Sequence, residues 1–211
     1  MPQFTVIVDV PDRKSRIIHR FALNRRFKRT YTASIHPMSS LSSMQPERLR
    51  RFVSVEFSPS SGCLGSIVSM VTDFCRNVVD EPQTRFAFQL AAYELTENLV
   101  KYATGEKTRV SISIEGSVRG PVLVLTTVND STPERLEDVR KRLEAAETAT
   151  DPIQHFDQLI QESIATPGES RLGLGRLRAE GELLVSHSIQ GRTLTIQVSK
   201  TVRRREEVTR S

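Results

Sequence analysis

The chain reads as an α+β fold: a two-layer α/β sandwich in which helices cover one face of a mixed, mainly antiparallel sheet. Three observations predict it. Residues 84–105 (TRFAFQLAAYELTENLVKYATG) place Phe88, Ala92, Leu95, Leu99 and Tyr102 at steps of four, three, four and three, the period of one buried helical face. Several shorter segments alternate apolar and polar residues with the period of a strand. After residue 50 the order of these segments is β-α-α-β-β-α-α-α-β-β.

The elements follow in order. Phe4 to Val10 (FTVIVDV) is a strand by its β-branched content, and Pro11-Asp12 turns it into basic sequence. Ser15 to Lys28 has Ile17, Ile18, Phe21 and Leu23 placed for a short basic amphipathic helix. Thr30 to Pro46 is rich in Ser, Thr and Met and holds Pro37 and Pro46, the composition of a flexible linker. Residues 1–50 are therefore expected as a basic, largely flexible extension, 51–200 as the main domain and 201–211 as a basic tail.

Within the main domain, Arg51 to Phe57 alternates as a strand, and a turn over Ser58 to Gly62 leads into a helix from Leu64 to Val79. Asp80-Glu81-Pro82 closes that helix, Thr84 caps the next one, and Gly105 ends it. Thr108 to Glu115 and Val122 to Val128 form a hairpin through the link over Gly116 to Gly120. Asn129 to Pro133 is a turn at the mouth of the second strand. Pro133 then opens a charged helix over Glu134 to Ala149, and Asp151-Pro152 starts another. Pro167-Gly168 breaks it, and residues 170–177 (SRLGLGRL) enter a short helix reaching about Glu180. Leu183 to Ser188 and Thr193 to Val198 are the last strands, joined around Gln190-Gly191.

Charge is divided unevenly. Residues 1–51 hold eleven Lys or Arg against three acids, whereas residues 52–199 hold fourteen against twenty. The main domain is acidic and the basic character belongs to the ends. No aromatic stacking series or reading helix accompanies that charge, so specific nucleic-acid binding is not expected, and a solvated tail accounts for it. No apolar run is long enough to span a membrane and no secretory leader stands at the start, so a cytoplasmic protein is expected. Cys63 and Cys75 make no metal spacing and read as small buried thiols; His19, His36, His155 and His187 are scattered.

On the long helix, Glu94, Asn98 and Lys101 recur at four and three on a second face, with Glu97 beside them. That stacks a carboxylate, a carboxamide and an ammonium along one side of a helix whose other side is core. Spacing alone favours a solvated Glu94–Asn98–Lys101 ladder of side chains, and the sharper reading needs support from the rest of the chain. Two later stretches add to it: Asp130 at a strand end, and Leu172-Gly173-Leu174-Gly175 entering a helix.

In this order the three stretches resemble the ATP-binding fold shared by histidine kinases, Hsp90-type chaperones, gyrase-type topoisomerases and bacterial anti-sigma serine kinases. The short strand and helix ahead of the long helix are most similar to the anti-sigma kinase branch, and the resemblance covers roughly Arg51 to Lys200. It implies ATP and Mg2+ as cofactors. Glu94 takes the place of the family's catalytic Glu, which polarises a water or the acceptor hydroxyl. Asn98 takes that of the magnesium ligand, and Lys101 would face the same groove against phosphate charge. Asp130 falls where the family's Asp receives the adenine amino group. The Leu172-Gly173-Leu174 turn falls where backbone amides meet phosphate, with Gly175 in the first helical turn.

The chain departs from the family after Asp130, where Ser131-Thr132-Pro133-Glu134 contains no glycine, and before Gly173, where Ser170-Arg171 stands. The implied function is an ATP-binding regulatory protein resembling an anti-sigma factor or protein serine/threonine kinase. It would act on a protein partner, a sigma factor or an anti-anti-sigma-like regulator, with a homodimer left open. The alternative is a degenerate module of the same fold that binds a protein without using ATP.

Overall fold

The computed structural model describes residues 51–105, 108–117, 120–165 and 172–203, together with the backbone of residues 3–9, 16–22 and 34–35. Among the described residues, eight strands form one sheet: β1 (Gln3–Asp9), β2 (Arg16–Ala22), β3 (Ser34–Ile35), β4 (Arg51–Phe57), β5 (Thr108–Glu115), β6 (Val122–Asp130), β7 (Leu184–Gln190) and β8 (Thr193–Thr201). They lie in the order β3-β2-β1-β4-β5-β6-β8-β7. Neighbouring strands pair antiparallel throughout. Five helices accompany them: α1 (Leu64–Val78), α2 (Pro82–Tyr102), α3 (Pro133–Thr148), α4 (Pro152–Ala165) and α5 (Leu172–Ala179). This is the α+β sandwich that the order of segments predicts.

Burial shows which face the helices cover. In β5, Val110, Ile112 and Ile114 are buried while Arg109 is exposed, and the hairpin register sets Val110 against Thr127, Ile112 against Leu125 and Ile114 against Leu123. α2 lays Ala87, Phe88, Ala91, Ala92, Leu95 and Leu99 on that face. Three alanines among them allow close approach to the sheet, and α1 covers α2 through Ile67, Val71, Cys75 and Val78. Burying each large aliphatic side chain contributes roughly 1.5–3 kcal/mol, so this layer supplies most of the stability. Both cysteines are free and buried, and burial pushes the Cys75 thiol up to about 12, which keeps it protonated.

Three local expectations are corrected. Arg16–Ala22 is a strand, not a basic helix: its backbone pairs with β1 from Ala22↔Gln3 to Arg16↔Asp9, and adjacent β-branched Ile17 and Ile18 favour that state. β1 in turn pairs with β4, so backbone hydrogen bonding runs across the boundary expected at residue 50. The helix expected to begin at Thr84 begins at Pro82, where a missing N–H costs nothing; the buried Thr84 hydroxyl donates to Glu81 Oε2 at 2.5 Å. It also ends at Tyr102, ahead of Gly105, because Thr104 N–H donates to the Asp130 carbonyl at 2.9 Å and draws the chain into the sheet.

The third correction bears on the site. β6 does not turn out at Asn129 but runs two residues further, pairing Asn129 with Leu194 and Asp130 with Thr193. A strand alternates its side chains, so Thr127 and Asn129 share the helix-covered face with Leu123 and Leu125, while Asp130 is exposed.

Candidate functional site

The site begins at the half-buried flank of α2. Glu94 lies between the core face and solvent, with its side chain 14% exposed. Burial holds its carboxyl above the usual carboxylate range; the Arg176 guanidinium opposes this from 3.5 Å, and Glu97 reinforces it. Arg176 comes from α5 and also donates through Nε to Glu180 Oε2 at 2.8 Å. The residue that lets α5 come this close is Gly173. A Cβ there would stand 2.6 Å from Glu94 Oε2, nearer than any side chain tolerates.

One turn after Glu94, Asn98 lines a pocket of about 50 Å3 together with Thr127, Asn129, Arg142, Gly173 and Leu174, above an apolar floor that includes Leu95, Leu99 and Ile196. Thr127 and Asn129 are 2% and 6% exposed. Asn129 Nδ2 donates to the Asp130 carbonyl at 3.2 Å. Among the described residues, the Asn98 carboxamide and the Thr127 hydroxyl make no hydrogen bond. Polar groups that line a half-buried pocket without partners are set to receive a ligand or water.

The other residues singled out from the sequence are placed as follows. Lys101 is exposed, pairs with Glu97 Oε1 at 3.2 Å and is not part of the pocket wall. Asp130 accepts from the Thr193 hydroxyl at 2.6 Å and also stands outside the wall. Leu172, Gly173 and Leu174 are not a turn ahead of a helix but the first turn of α5 itself, where backbone amides have no partner within the helix. Gly175, also in α5, faces α4, where a Cβ would meet Leu159 Cδ1 at 2.6 Å. Ser170 and Arg171 lie outside the described residues. Sequence reasoning missed Thr127, Asn129 and Arg142 in the wall. The signal for the first two was strand register, because pairing of Thr127 with Val110 assigns its face and alternation puts Asn129 on the same one.

Glu94 and Asn98 offer hard oxygen donors one turn apart, the chemistry of a magnesium ion that takes most of its ligands from phosphates and water. Among the described residues no group of three His, Cys, Asp or Glu side chains could hold a metal unaided. The donor set therefore fits magnesium carried in with phosphates. The cavity is a different matter: about 50 Å3 holds a water or two, whereas pockets for ligands of nucleotide size run to about 300–1,000 Å3. With Gly173 seated against Glu94, the groove is closed to a whole nucleotide.

No family model matches the sequence, and no curated protein does. Among solved structures, the fold is similar to a chain in the crystal structure of the SiaB–SiaC complex from Pseudomonas aeruginosa, with a TM-score of 0.51 and 15% sequence identity over 68% of this chain and 86% of that chain. No helix among the described residues is long and apolar enough to cross a membrane. The antiparallel sheet, the helical layer on one of its faces and this likeness together show an α+β sandwich fold shared with that chain.

Proposed function

We propose that the chain is a regulatory protein that binds ATP with magnesium between α2 and α5 and acts on a protein partner, as an anti-sigma factor or serine kinase would. The observation that carries the reading is the convergence at α2. Glu94 and Asn98 lie one turn apart, and Asn98 opens without a hydrogen bond into the pocket that the first turn of α5 closes.

In this reading Asn98 would hold the magnesium ion, which offsets phosphate charge when bound. Glu94 is the proton acceptor for a hydroxyl at the groove, and its burial suits it to that task by keeping its affinity for a proton above that of an ordinary carboxylate. Asn129 and Thr127, not Asp130, are the polar side chains available to a base on the helix side of β6. Opening the groove requires α5 to leave Glu94. The chain above α5 does not oppose this strongly, since α4 has no buried residue and its packing is directed to α5. That the similar solved chain belongs to a two-protein complex supports a protein partner.

A second reading has its own observations: the closed pocket and the outward Asp130 favour a module that binds its partner without nucleotide. Titration calorimetry with ATP, with and without magnesium, separates the two. The first reading expects saturable, magnesium-dependent heat that Asn98→Ala abolishes without loss of fold, because alanine is the better helix former by about 0.7 kcal/mol or less. Absence of heat from the unaltered protein at millimolar ATP leaves the second.

A further inference from the structure

α4 is a helix of 14 residues with no buried side chain. One face holds it to the rest of the fold. A Cβ on Gly175 of α5 would meet Leu159 Cδ1 at 2.6 Å and Phe156 Cδ2 at 3.4 Å, so these two side chains rest on α5. At 3.6 residues per turn, Ile153, Ile160 and Ile164 fall in a single line about a quarter turn away from that face. Ile160 is half-buried, while Ile153 and Ile164 are 64% and 69% exposed. A surface helix has one apolar stripe to bury. α4 carries two, and α5 takes the first.

The charges on α4 indicate what covers the second. Asp151, Asp157 and Glu162 are its carboxylates, and no Lys or Arg stands between residues 150 and 165. Asp151 is used locally, accepting the amides of Ile153 and Gln154 at 3.0 Å. Asp157, which borders the isoleucine line, and Glu162, further round the helix, make no hydrogen bond or ion pair among the described residues. α3 is the contrast: Glu137, Asp138 and Glu144 each pair with Arg140, Lys141 or Arg142 of their own helix. The charge of α4 is left for cations from outside. It repels nucleic acid and anionic lipid, and also the main domain of a second copy, whose residues 52–199 hold twenty acids against fourteen bases. We infer that the isoleucine stripe of α4 is the docking surface for the protein partner, and that it receives an amphipathic helix whose apolar stripe is flanked by Lys or Arg.

This inference rests on the partner half of the proposed function, not on ATP, so it is tested on the full chain without nucleotide. Fluorescence anisotropy follows three labelled peptides of about eighteen residues. One has leucines at helical spacing flanked by lysines, one has the same composition in shuffled order, and one has glutamates in place of the lysines. The lysine peptide should bind, and the other two at least about tenfold more weakly. Ile153→Ala together with Ile164→Ala should weaken it by about tenfold or more and leave Tm within about 2 °C, since both positions are exposed and alanine favours a helix. Asp157→Lys should weaken it several-fold at low salt and less at high salt. Equal binding of the shuffled peptide would reduce the contact to charge alone, equal binding of the glutamate peptide would remove the charge argument, and indifference to the isoleucine changes would move the contact elsewhere; each overturns the inference. So does a dimer of the full chain in sedimentation that the isoleucine changes dissociate, which would put a second copy on the stripe. Failure of the lysine peptide to bind removes this docking surface whether or not ATP–Mg gives heat, and absence of ATP–Mg heat alone removes only the nucleotide.

Discussion

Placing a methyl group on Gly173 should move a carboxylate and spare the backbone. The three heavy atoms nearest to an added Cβ all belong to Glu94: Oε2 at 2.6 Å, Cδ at 3.3 Å and Cβ at 3.6 Å. The atom in conflict is the tip of a flexible side chain, so Glu94 must retreat by most of an ångström and leave Arg176. Forcing a side chain off its rotamer costs about 0.5–1.5 kcal/mol, while exchanging glycine for alanine within a helix returns about 0.5–1 kcal/mol. Gly173→Ala alone should therefore change stability by less than about 1 kcal/mol, a shift in Tm of about 2–4 °C at most for a chain of this size. The conflict disappears when Glu94 is truncated. In a double-mutant cycle with Glu94→Ala, thermal or denaturant unfolding should show a coupling of about 1 kcal/mol, the double variant being more stable than the two single changes add up to. Additivity within about 0.3 kcal/mol would refute the close approach of α5 to Glu94 and, with it, the closed groove.

Three further outcomes follow from the same geometry. Gly181→Ala should cost about 1–3 kcal/mol in denaturant unfolding, because its Cβ would stand 2.6 Å from the Leu177 carbonyl, a backbone atom that cannot swing aside; a neutral result would contradict that contact. Glu94 binds its proton more tightly folded than unfolded, so its contribution to stability is full below its ordinary value of 4.5 and is lost as pH rises through the raised value. The Tm advantage of Glu94→Gln over the parent should accordingly grow between about pH 4 and pH 7, and a constant or shrinking difference would show that burial does not dominate there. Asp130→Ala should leave ATP–Mg affinity within about twofold while Asn129→Ala lowers it by several-fold, since the first points to Thr193 and the second into the pocket; the reverse ranking in titration calorimetry would mean that β6 is misregistered at its end.

Much of this arrangement was legible because hydrophobic period and burial are the same physics. Phe88, Ala92, Leu95 and Leu99 of α2 are all buried, as their spacing requires, and the Pro133 start of α3 falls where proline is tolerated. What escaped was whatever tertiary pairing decides. The run Val122 to Val128 is apolar on both faces, so alternation alone could not say which side carries Thr127; pairing with Val110 settles it, and pairing with Leu194 and Thr193 of β8 carries the strand on through Asn129 and Asp130. Arg16–Ala22 has apolar residues that suit a helix or a strand, and the choice is made by pairing with β1. Lys101 and Arg142 show the same limit at the site. Helical spacing aligned Lys101 with Asn98, yet a neighbouring Glu97 claims it, while Arg142 enters the pocket from a helix some forty residues away in sequence.

The central claim is that ATP–Mg occupies the groove between α2 and α5, and amide hydrogen exchange with and without ligand locates it directly. Saturating ATP–Mg should slow exchange in three separated stretches: the end of α2 around Asn98 to Tyr102, the end of β6 around Thr127 to Asn129, and α5 from Leu172 to Arg178. Asn98→Ala should remove that protection while leaving the exchange of β5 and β8 unchanged. Protection confined to other segments, or exchange indifferent to ATP–Mg in all three, would contradict the account.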